Sequence, residues 1–405
     1  MIRSASAVLS FSLLTLLGCS SSGDAGSGTA GSPGAPTAGA GQTAGGAPAG
    51  VGGAGAGAAS VAGSGPVAGG GANAGGATGG AGAPAGGAPG TAGSGNTAGS
   101  GAGGAPNPPS MRVVGYVPNW YGSFSSWIPK IDFSKVTHLN LAFALGDASG
   151  NLQLAPNAEI DALVTAAHAK GVKVFPSLCG GGGDGKIAPF YEPNLVDGFV
   201  DKIIAFTVAR KFDGIDVDVE APQRMGAKYD TFIAKLKAKA GPLGLPVTAA
   251  VAQWMQSGMS DTTLRSFDFI NIMSYDATGT WTDAGEHSSY QQALDDLAYY
   301  EKKGVAKDKL VLGAPMYGYC WGSCGNGQTK LYVLYKDILA KYPDAASKDW
   351  IDSNGTKYSY NGAATMAKKT TLAAKYGGIM LWELAGDVPT TNTNSLLTAI
   401  ANAPH

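Results

Sequence analysis

The first quarter of the sequence has almost no charge, and no aromatic residue occurs between Ser20 and Ser110. Asp24 is the single charged residue in this stretch, which otherwise consists almost entirely of Gly, Ala, Ser, Thr and Pro. Such a composition cannot bury enough apolar surface to offset the entropy lost on ordering. We therefore expect residues 19–110 to be a disordered, low-complexity linker, followed by one folded domain over residues 111–405.

Basic runs and metal-binding cysteine pairs are also missing. The 28 Lys and Arg residues balance 29 Asp and Glu residues and form no run, which argues against a nucleic-acid partner. The four histidines are scattered and no CxxC pair occurs, so we predict no metal and no cofactor. The loop GGGGDGKI at 180–187 resembles a phosphate-binding loop, but Ile187 occupies the position that needs a hydroxyl for Mg²⁺. We expect this loop to shape the wall of a cleft instead.

The N-terminus has the pattern of an export signal. Arg3 precedes a mostly apolar run at 7–17, which is too short to cross a membrane. The run ends in LLGC, which resembles the lipobox of bacterial lipoproteins. That resemblance implies removal of signal peptide 1–18, lipidation of Cys19, and anchoring at the cell surface or outer membrane. An ordinary secretory signal that yields a released protein is the alternative.

From residue 111 onward, β-rich runs alternate with helical stretches. The predicted strands cover residues 112–117, 136–144, 172–178, 212–220, 245–252, 268–275, 309–317 and 377–384. The predicted helices cover residues 156–170, 193–211, 227–240, 290–303 and 363–376. Apolar strands alternating with helices indicate a parallel sheet covered by helices, and eight units predict an α/β fold, the (β/α)₈ TIM barrel. A doubly wound open sheet is the alternative, but no GxGxxG follows the first strand. We expect the domain to be a monomer.

The predicted fourth strand, FDGIDVDVE at 212–220, places Asp216, Asp218 and Glu220 at alternate positions. Alternate strand residues share a face, so three carboxylates would point the same way into the barrel. Crowded, dehydrated carboxylates repel one another, so at least one should keep a proton near neutral pH. Divalent metal binding and acid catalysis of sugar hydrolysis both fit such a group. The neighbouring strand ends offer few further metal ligands, which favours sugar hydrolysis.

Aromatic residues follow the predicted strands closely, where the active face of a barrel lies. The tryptophans concerned are Trp120, Trp254, Trp281, Trp321 and Trp382. A rim of flat apolar rings suits sugars, although any one ring could serve as packing.

The spacing of Asp213, Asp216, Asp218 and Glu220 matches the pattern DxxDxDxE. In this pattern the sequence resembles glycoside hydrolase family 18, the family of many chitinases. Similar matches occur around the barrel at GYVPNW (115–120), THLNLAFA (137–144), MSYD (273–276), LGAPMYG (312–318) and GGIMLWELAGD (377–387). The resemblance covers essentially all of residues 111–405. It implies retaining hydrolysis of β-1,4-linked N-acetylglucosamine in chitin or its oligosaccharides, with the substrate's acetamido group as nucleophile.

The resemblance also implies individual roles. Glu220 would be the proton donor, Asp218 would orient the acetamido group, Asp216 would tune its charge, and Tyr275 would hydrogen-bond the acetamido oxygen. The substrate-binding residues would be Asp276, Trp382, Trp120, Tyr116, Trp254, Trp281, Tyr317 and Met273, with Ser177 supporting the aspartates. Two alternatives share the signature: an endo-β-N-acetylglucosaminidase that cuts N-glycan cores, and a non-catalytic sugar-binding relative.

Two features depart from the family pattern. Cys179 replaces the first Gly of the usual SxGG at the end of the third strand, which brings a thiol near the barrel mouth. An insertion at 319–360 is short, with an expected helix at 330–342 and a hairpin at Asn354-Gly355, so we expect a shallow cleft and endo cleavage. Cys320 and Cys324 lie in this insertion and can form a disulfide in an exported protein, or stay as two thiols.

Overall fold

The computed structural model describes residues 111–404, and their main element is a closed barrel of eight parallel strands. The barrel strands are β1 Arg112–Pro118, β2 His138–Gly146, β3 Lys173–Cys179, β4 Ile215–Asp218, β5 Val247–Val251, β6 Ile270–Ile272, β7 Leu310–Pro315 and β8 Gly378–Trp382. Each strand pairs in parallel with the next, and β1 pairs with both β2 and β8, which closes the barrel. The predicted (β/α)₈ fold is confirmed.

Helices connect the strands and cover the outside of the barrel. The α-helices are Phe124–Trp127, Asn157–His168, Asp184–Ile187, Val196–Ala209, Ala227–Ala240, Asp261–Ser266, Tyr290–Lys302, Tyr335–Lys341, Ala363–Ala373 and Leu396–Ala401. The 3₁₀-helices are Phe133–Lys135, Ala188–Tyr191, Pro222–Arg224, Gly241–Leu243, Gln253–Gly258, Lys307–Lys309, Ala345–Ser347 and Leu384–Gly386. Several helices start at a serine cap: Ser260, Ser289 and Ser395 each accept a hydrogen bond from the backbone N–H three residues on.

The alternation of residues along β4 separates two environments. Ile215, Val217 and Val219 belong to the large apolar core that packs barrel strands against helices. The intervening aspartates therefore face the barrel interior. A smaller apolar cluster that includes Tyr116 and Phe175 lies among these inward-facing positions. β4 and β6 are shorter than the predicted strands 212–220 and 268–275, because parallel pairing stops before the residues at the barrel mouth.

The segment between β7 and β8 forms an α+β subdomain. Its antiparallel sheet has the strand order Gln328–Leu334, Tyr317–Gly325, Thr356–Ser359, Trp350–Ser353. The expected helix at 330–342 is wrong in its first half: residues 330–334 pair as a strand with Tyr317–Gly325, and the helix begins at Tyr335. The expected hairpin turn forms at Asn354-Gly355, whose φ angles of 51° and 76° suit the tight turns of hairpins.

The predicted signal peptide, the lipidation site Cys19 and the linker lie outside the described residues. Within residues 111–404, no helix is both long enough and apolar enough to cross a membrane.

Candidate active site

Three carboxylates converge at β4 and the barrel mouth. Asp216 and Asp218 are 0% and 2% exposed, whereas Glu220, just beyond the end of β4, is partly exposed. The alternation that sends Val217 and Val219 to the outer core sends these acids inward. The three groups are therefore layered from the barrel interior to its opening.

Asp216 is held by four hydrogen-bond donors from four strands. Its Oδ2 accepts from the Tyr116 hydroxyl at 2.7 Å and from Ser177 Oγ at 2.8 Å. Its Oδ1 accepts from Thr248 Oγ1 at 2.7 Å and from Asn271 Nδ2 at 3.2 Å. Burial raises the pKa of Asp216, and the four donors oppose that rise by stabilising the charged form. Four hydrogen bonds therefore hold the Asp216 carboxylate in place beneath Asp218.

Asp218 and Glu220 compete for protons. Burial, then the charges of Glu220 and Asp216, raise the pKa of Asp218 well above its ordinary value. Burial, then the charges of Asp184 and Asp276, raise the pKa of Glu220 to about 7. A carboxyl that keeps its proton near neutral pH at the mouth of a cleft suits a general acid.

Aromatic rings form a floor beside the carboxylates. The centre of the Trp382 ring lies 5.2 Å from that of Tyr116, 5.6 Å from that of Phe143 and 6.1 Å from that of Trp120. Trp120 is 48% exposed, so the cluster extends from the partly buried Trp382 at the end of β8 to the open rim. A continuous apolar surface of this kind can stack against sugar rings.

The loop after β6 supplies a second polar group. Asp276 accepts hydrogen bonds from the hydroxyls of Tyr317 and, at 3.0 Å, Tyr319, both on the first strand of the insertion. The buried His287 ring lies 3.6 Å from the same carboxylate. The ring of Tyr275 packs edge-on against Tyr317 at 6.0 Å, and the charges of Asp218 and Glu220 add to burial in raising the pKa of Tyr275.

The chain also matches a known protein family. The model of glycosyl hydrolases family 18 matches residues 112–387, which is most of the described chain. The chain belongs to glycosyl hydrolases family 18. The family predicted from the DxxDxDxE signature is therefore confirmed.

The chain is similar to two proteins in sequence and to one solved structure in fold. The chain is 29% identical over 266 residues to a chitinase-like effector of Moniliophthora perniciosa, spanning 56% of this chain and 59% of that protein. It is 25% identical over 378 residues to chitinase 63 of Streptomyces plicatus, spanning 74% and 62% of the two chains. It thus spans about three fifths of these two relatives. A chitinase from the chitin utilization locus of Flavobacterium johnsoniae superposes with a TM-score of 0.64 at 30% identity, covering 72% of this chain and 93% of that one.

The structure brings most of the sequence-predicted family 18 residues together. Asp216, Asp218, Glu220, Tyr116, Ser177, Tyr275, Asp276, Tyr317, Trp120 and Trp382 lie at or beneath the barrel mouth, and Met273 packs against the inner cluster. Trp281 packs edge-on against Tyr319 at 5.5 Å. Trp254 lies on the 3₁₀-helix after β5 and is 58% exposed. Within residues 111–404 its ring does not contact Trp382 or the rings around it.

Four residues of this site were not predicted from the sequence. Thr248 and Asn271 are single polar residues within apolar strands, a signal that could have identified them as inward-facing donors to Asp216. Tyr319 lies two residues beyond Tyr317 on the same strand face. Asp184 lies in the glycine-rich loop, and nothing in the local sequence indicates that it approaches Glu220.

The cysteines have distinct surroundings. Cys320 and Cys324 form a disulfide with an S–S distance of 2.14 Å, the first of the two outcomes left open by the sequence. Cys179 is a free, buried thiol at the end of β3, and burial raises its pKa. Its φ of 86° lies in the left-handed region that favours glycine. Among residues 111–404, no cluster of three or more His, Cys, Asp or Glu side chains could hold a metal ion.

Proposed function

We propose that this domain hydrolyses β-1,4 linkages between N-acetylglucosamine units of chitin or chito-oligosaccharides, with retention of configuration. The observation that carries the proposal is the stack of carboxylates: Glu220, with a pKa raised to about 7, stands above Asp218 and the saturated Asp216. Relatives named chitinases in Streptomyces plicatus and Flavobacterium johnsoniae support chitin as the substrate.

In the first step, the Glu220 carboxyl donates its proton to the glycosidic oxygen as the bond from C1 to that oxygen breaks. The carbonyl oxygen of the substrate's own acetamido group bonds to C1 and forms a cyclic oxazolinium ion, the family's alternative to an enzyme nucleophile. Asp218 accepts a hydrogen bond from the acetamido N–H and balances the positive charge. The Tyr275 hydroxyl donates to the acetamido oxygen and aligns it.

In the second step, water attacks C1 from the side that the leaving group vacated. The Glu220 carboxylate takes a proton from this water, and the oxazolinium ring opens to restore the acetamido group. Because each step inverts C1, the product keeps the β configuration. The Trp382 floor excludes bulk water from the reactive ion and fixes the sugar through stacking.

The test is incubation of the purified protein with N-acetylglucosamine hexamer, with products identified by mass spectrometry and their anomers by NMR. We expect shorter oligomers with a β-anomeric new end. Glu220→Gln should lower kcat at least about 100-fold while the hexamer still binds, because the amide keeps the shape but cannot donate a proton. Glu192→Gln, a change of the same chemistry at an exposed surface residue, is the matched control.

Four outcomes would contradict the proposal. Wild-type rates in Glu220→Gln would remove its role as proton donor, and cleavage of fully deacetylated chitosan would remove the acetamido nucleophile. Cleavage of a high-mannose glycoprotein without cleavage of the hexamer would favour an endo-β-N-acetylglucosaminidase. Binding of the hexamer without cleavage would favour a non-catalytic sugar-binding protein.

We also propose endo cleavage and a lipid anchor. The endo mode is supported by an insertion of about 40 residues at 319–360, and early products of several lengths would support it, whereas dimer alone would contradict it. The anchor is supported by the LLGC motif at residues 16–19. Labelling with a radioactive fatty acid should mark the wild-type protein in its native host and not Cys19→Ala; label retained by that variant would contradict the anchor.

A further inference from the structure

The loop Gly180–Asp184 lies directly against the Glu220 side chain. A Cβ atom added to Gly181 would lie 3.1 Å from Glu220 Oε1, and one added to Gly183 would lie 2.5 Å from the Cys179 carbonyl oxygen. Glycines at these positions therefore let the loop backbone fold tightly at the end of β3 and approach the carboxyl group. These close contacts explain why the smallest residue occupies positions 181 and 183.

The same loop is hydrogen-bonded to the chain on both sides of Glu220. The Gly180 N–H donates to the Asp218 carbonyl oxygen at 2.8 Å, two residues before Glu220. The Ala221 N–H, immediately after Glu220, donates to Asp184 Oδ1 at 3.3 Å. Because the ladder between β3 and β4 ends at the pair Cys179 and Asp218, the Asp184 carboxylate extends this connection beyond the end of the sheet.

Asp184 is a buried carboxylate with little to compensate its charge. It is 7% exposed and forms no ion pair within residues 111–404. Besides the Ala221 N–H, its Oδ1 accepts from the Cys179 thiol at 3.7 Å. A neutral side chain such as Asn could accept the same hydrogen bonds without the cost of burying a charge. The charge of Asp184 does affect Glu220: after burial, it is the largest cause of the raised pKa of Glu220.

Several ionisable groups approach Glu220 from the surrounding elements. They are Asp218 on β4, Asp184 and Cys179 from the end of β3 and its loop, and Tyr275 and Asp276 after β6. Asp218 carries the proposed role of orienting the acetamido group, and Asp276 is engaged by Tyr317 and Tyr319. Asp184, in contrast, has no tyrosine partner in the described part of the chain, and the proposed reaction does not otherwise use its charge.

We propose that Asp184 is a positioning residue for Glu220: it holds the backbone after Glu220 and supplies a negative charge that favours the protonated carboxyl. The inference rests on the proposed role of Glu220 as proton donor. Charge and hydrogen bonding act separately here. The charge sets the pH range over which the donor is protonated, and the hydrogen bond sets its orientation towards the glycosidic oxygen.

The experiment compares three Asp184 variants in the full-length protein. Asp184→Asn keeps an acceptor oxygen and removes the charge, Asp184→Ala removes both, and Asp184→Glu keeps the charge. Asp161→Asn, which removes a surface carboxylate paired with Arg210, is the control. Two readouts are needed: the pH profiles of kcat and kcat/KM on the hexamer, and a ¹³C NMR titration of the Glu220 carboxyl, assigned by its loss in Glu220→Gln.

For Asp184→Asn we expect the alkaline limb of kcat/KM and the Glu220 titration to move to lower pH together, by on the order of one pH unit. Its kcat on the acid side should stay near that of the wild type, whereas Asp184→Ala should also lower kcat there about tenfold. Asp184→Glu should restore the alkaline limb, and Asp161→Asn should leave it in place.

A folded Asp184→Asn whose Glu220 titrates as in the wild type would overturn the inference. If Asp184→Asn does not fold, an Asp184→Glu profile displaced to lower pH would overturn it, since the charge is retained. Failure of the proposed function would differ: the wild type would not cut the hexamer, while the NMR titration would still show whether Asp184 controls the protonation of Glu220.

Discussion

Replacing Glu220 with Gln should stabilise the folded protein at alkaline pH and leave its stability nearly unchanged in acid. The ordinary pKa of Glu is 4.5, and in the folded protein burial and the charges of Asp184 and Asp276 raise that of Glu220 to about 7. Between these values the folded state binds a proton that the unfolded state has released, so stability falls as pH rises. Below pH 4.5 both states are protonated and the carboxyl costs little.

The size of this effect follows from the two pKa values. At about 1.4 kcal/mol for each pH unit, the penalty above pH 7 is about 3 kcal/mol, as an order of magnitude. Gln has nearly the same shape and no charge, so the variant should escape this penalty. Asp218 adds to the effect in the same direction, because the charge of Glu220 raises its pKa too.

The assay is urea unfolding of both proteins at pH 4 and pH 8.5. We expect the difference in the free energy of unfolding between variant and wild type to be about 3 kcal/mol larger at pH 8.5 than at pH 4. In thermal unfolding the same difference corresponds to about 6 °C in Tm. Glu192→Gln, at an exposed site paired with Lys228, should change by less than about 1 kcal/mol at either pH. If Glu220→Gln changed the free energy of unfolding by the same amount at both pH values, the Glu220 carboxyl would not have the raised pKa proposed for it.

Three further predictions concern activity and stability. On chito-oligosaccharides, kcat/KM should fall as pH rises above about 7, because Glu220 loses its proton there; a profile flat to pH 9 would point to another donor. Lys369 is buried with a pKa lowered to about 7 by burial, and it donates to the Ser288 carbonyl oxygen at 2.8 Å. In the unfolded protein Lys369 stays charged to higher pH, so the stability of the wild type should rise relative to Lys369→Met by about 4 kcal/mol between pH 6 and pH 10. Urea unfolding measures this change, and a constant difference would contradict a neutral buried lysine. Replacing Cys320 and Cys324 together with Ser should lower the free energy of unfolding by about 2 kcal/mol, as expected for so short a loop, and a reductant should then have no further effect on the variant.

Much of the barrel could be predicted from local sequence. The helix Ala227–Ala240 has the predicted bounds, and Asn157–His168 lies within the predicted 156–170. Both helices have an apolar face and clear end signals, which are properties of neighbouring residues. The helix expected at 330–342 failed in its first half because pairing with Tyr317–Gly325 supplies strand contacts that residues 330–334 do not encode locally.

The sequence alone determined the alternation of Asp216, Asp218 and Glu220, because a period of two residues on an extended strand dictates which side chains share a face. It also determined the family, since the signature is a run of neighbouring residues. Only the tertiary structure decided which groups surround these acids. Thr248, Asn271 and Asp184 reach them from other strands and loops, through closure of the barrel. The raised pKa of Glu220 is likewise a tertiary property, because burial and the charges of Asp184 and Asp276 exist only once distant parts of the chain meet.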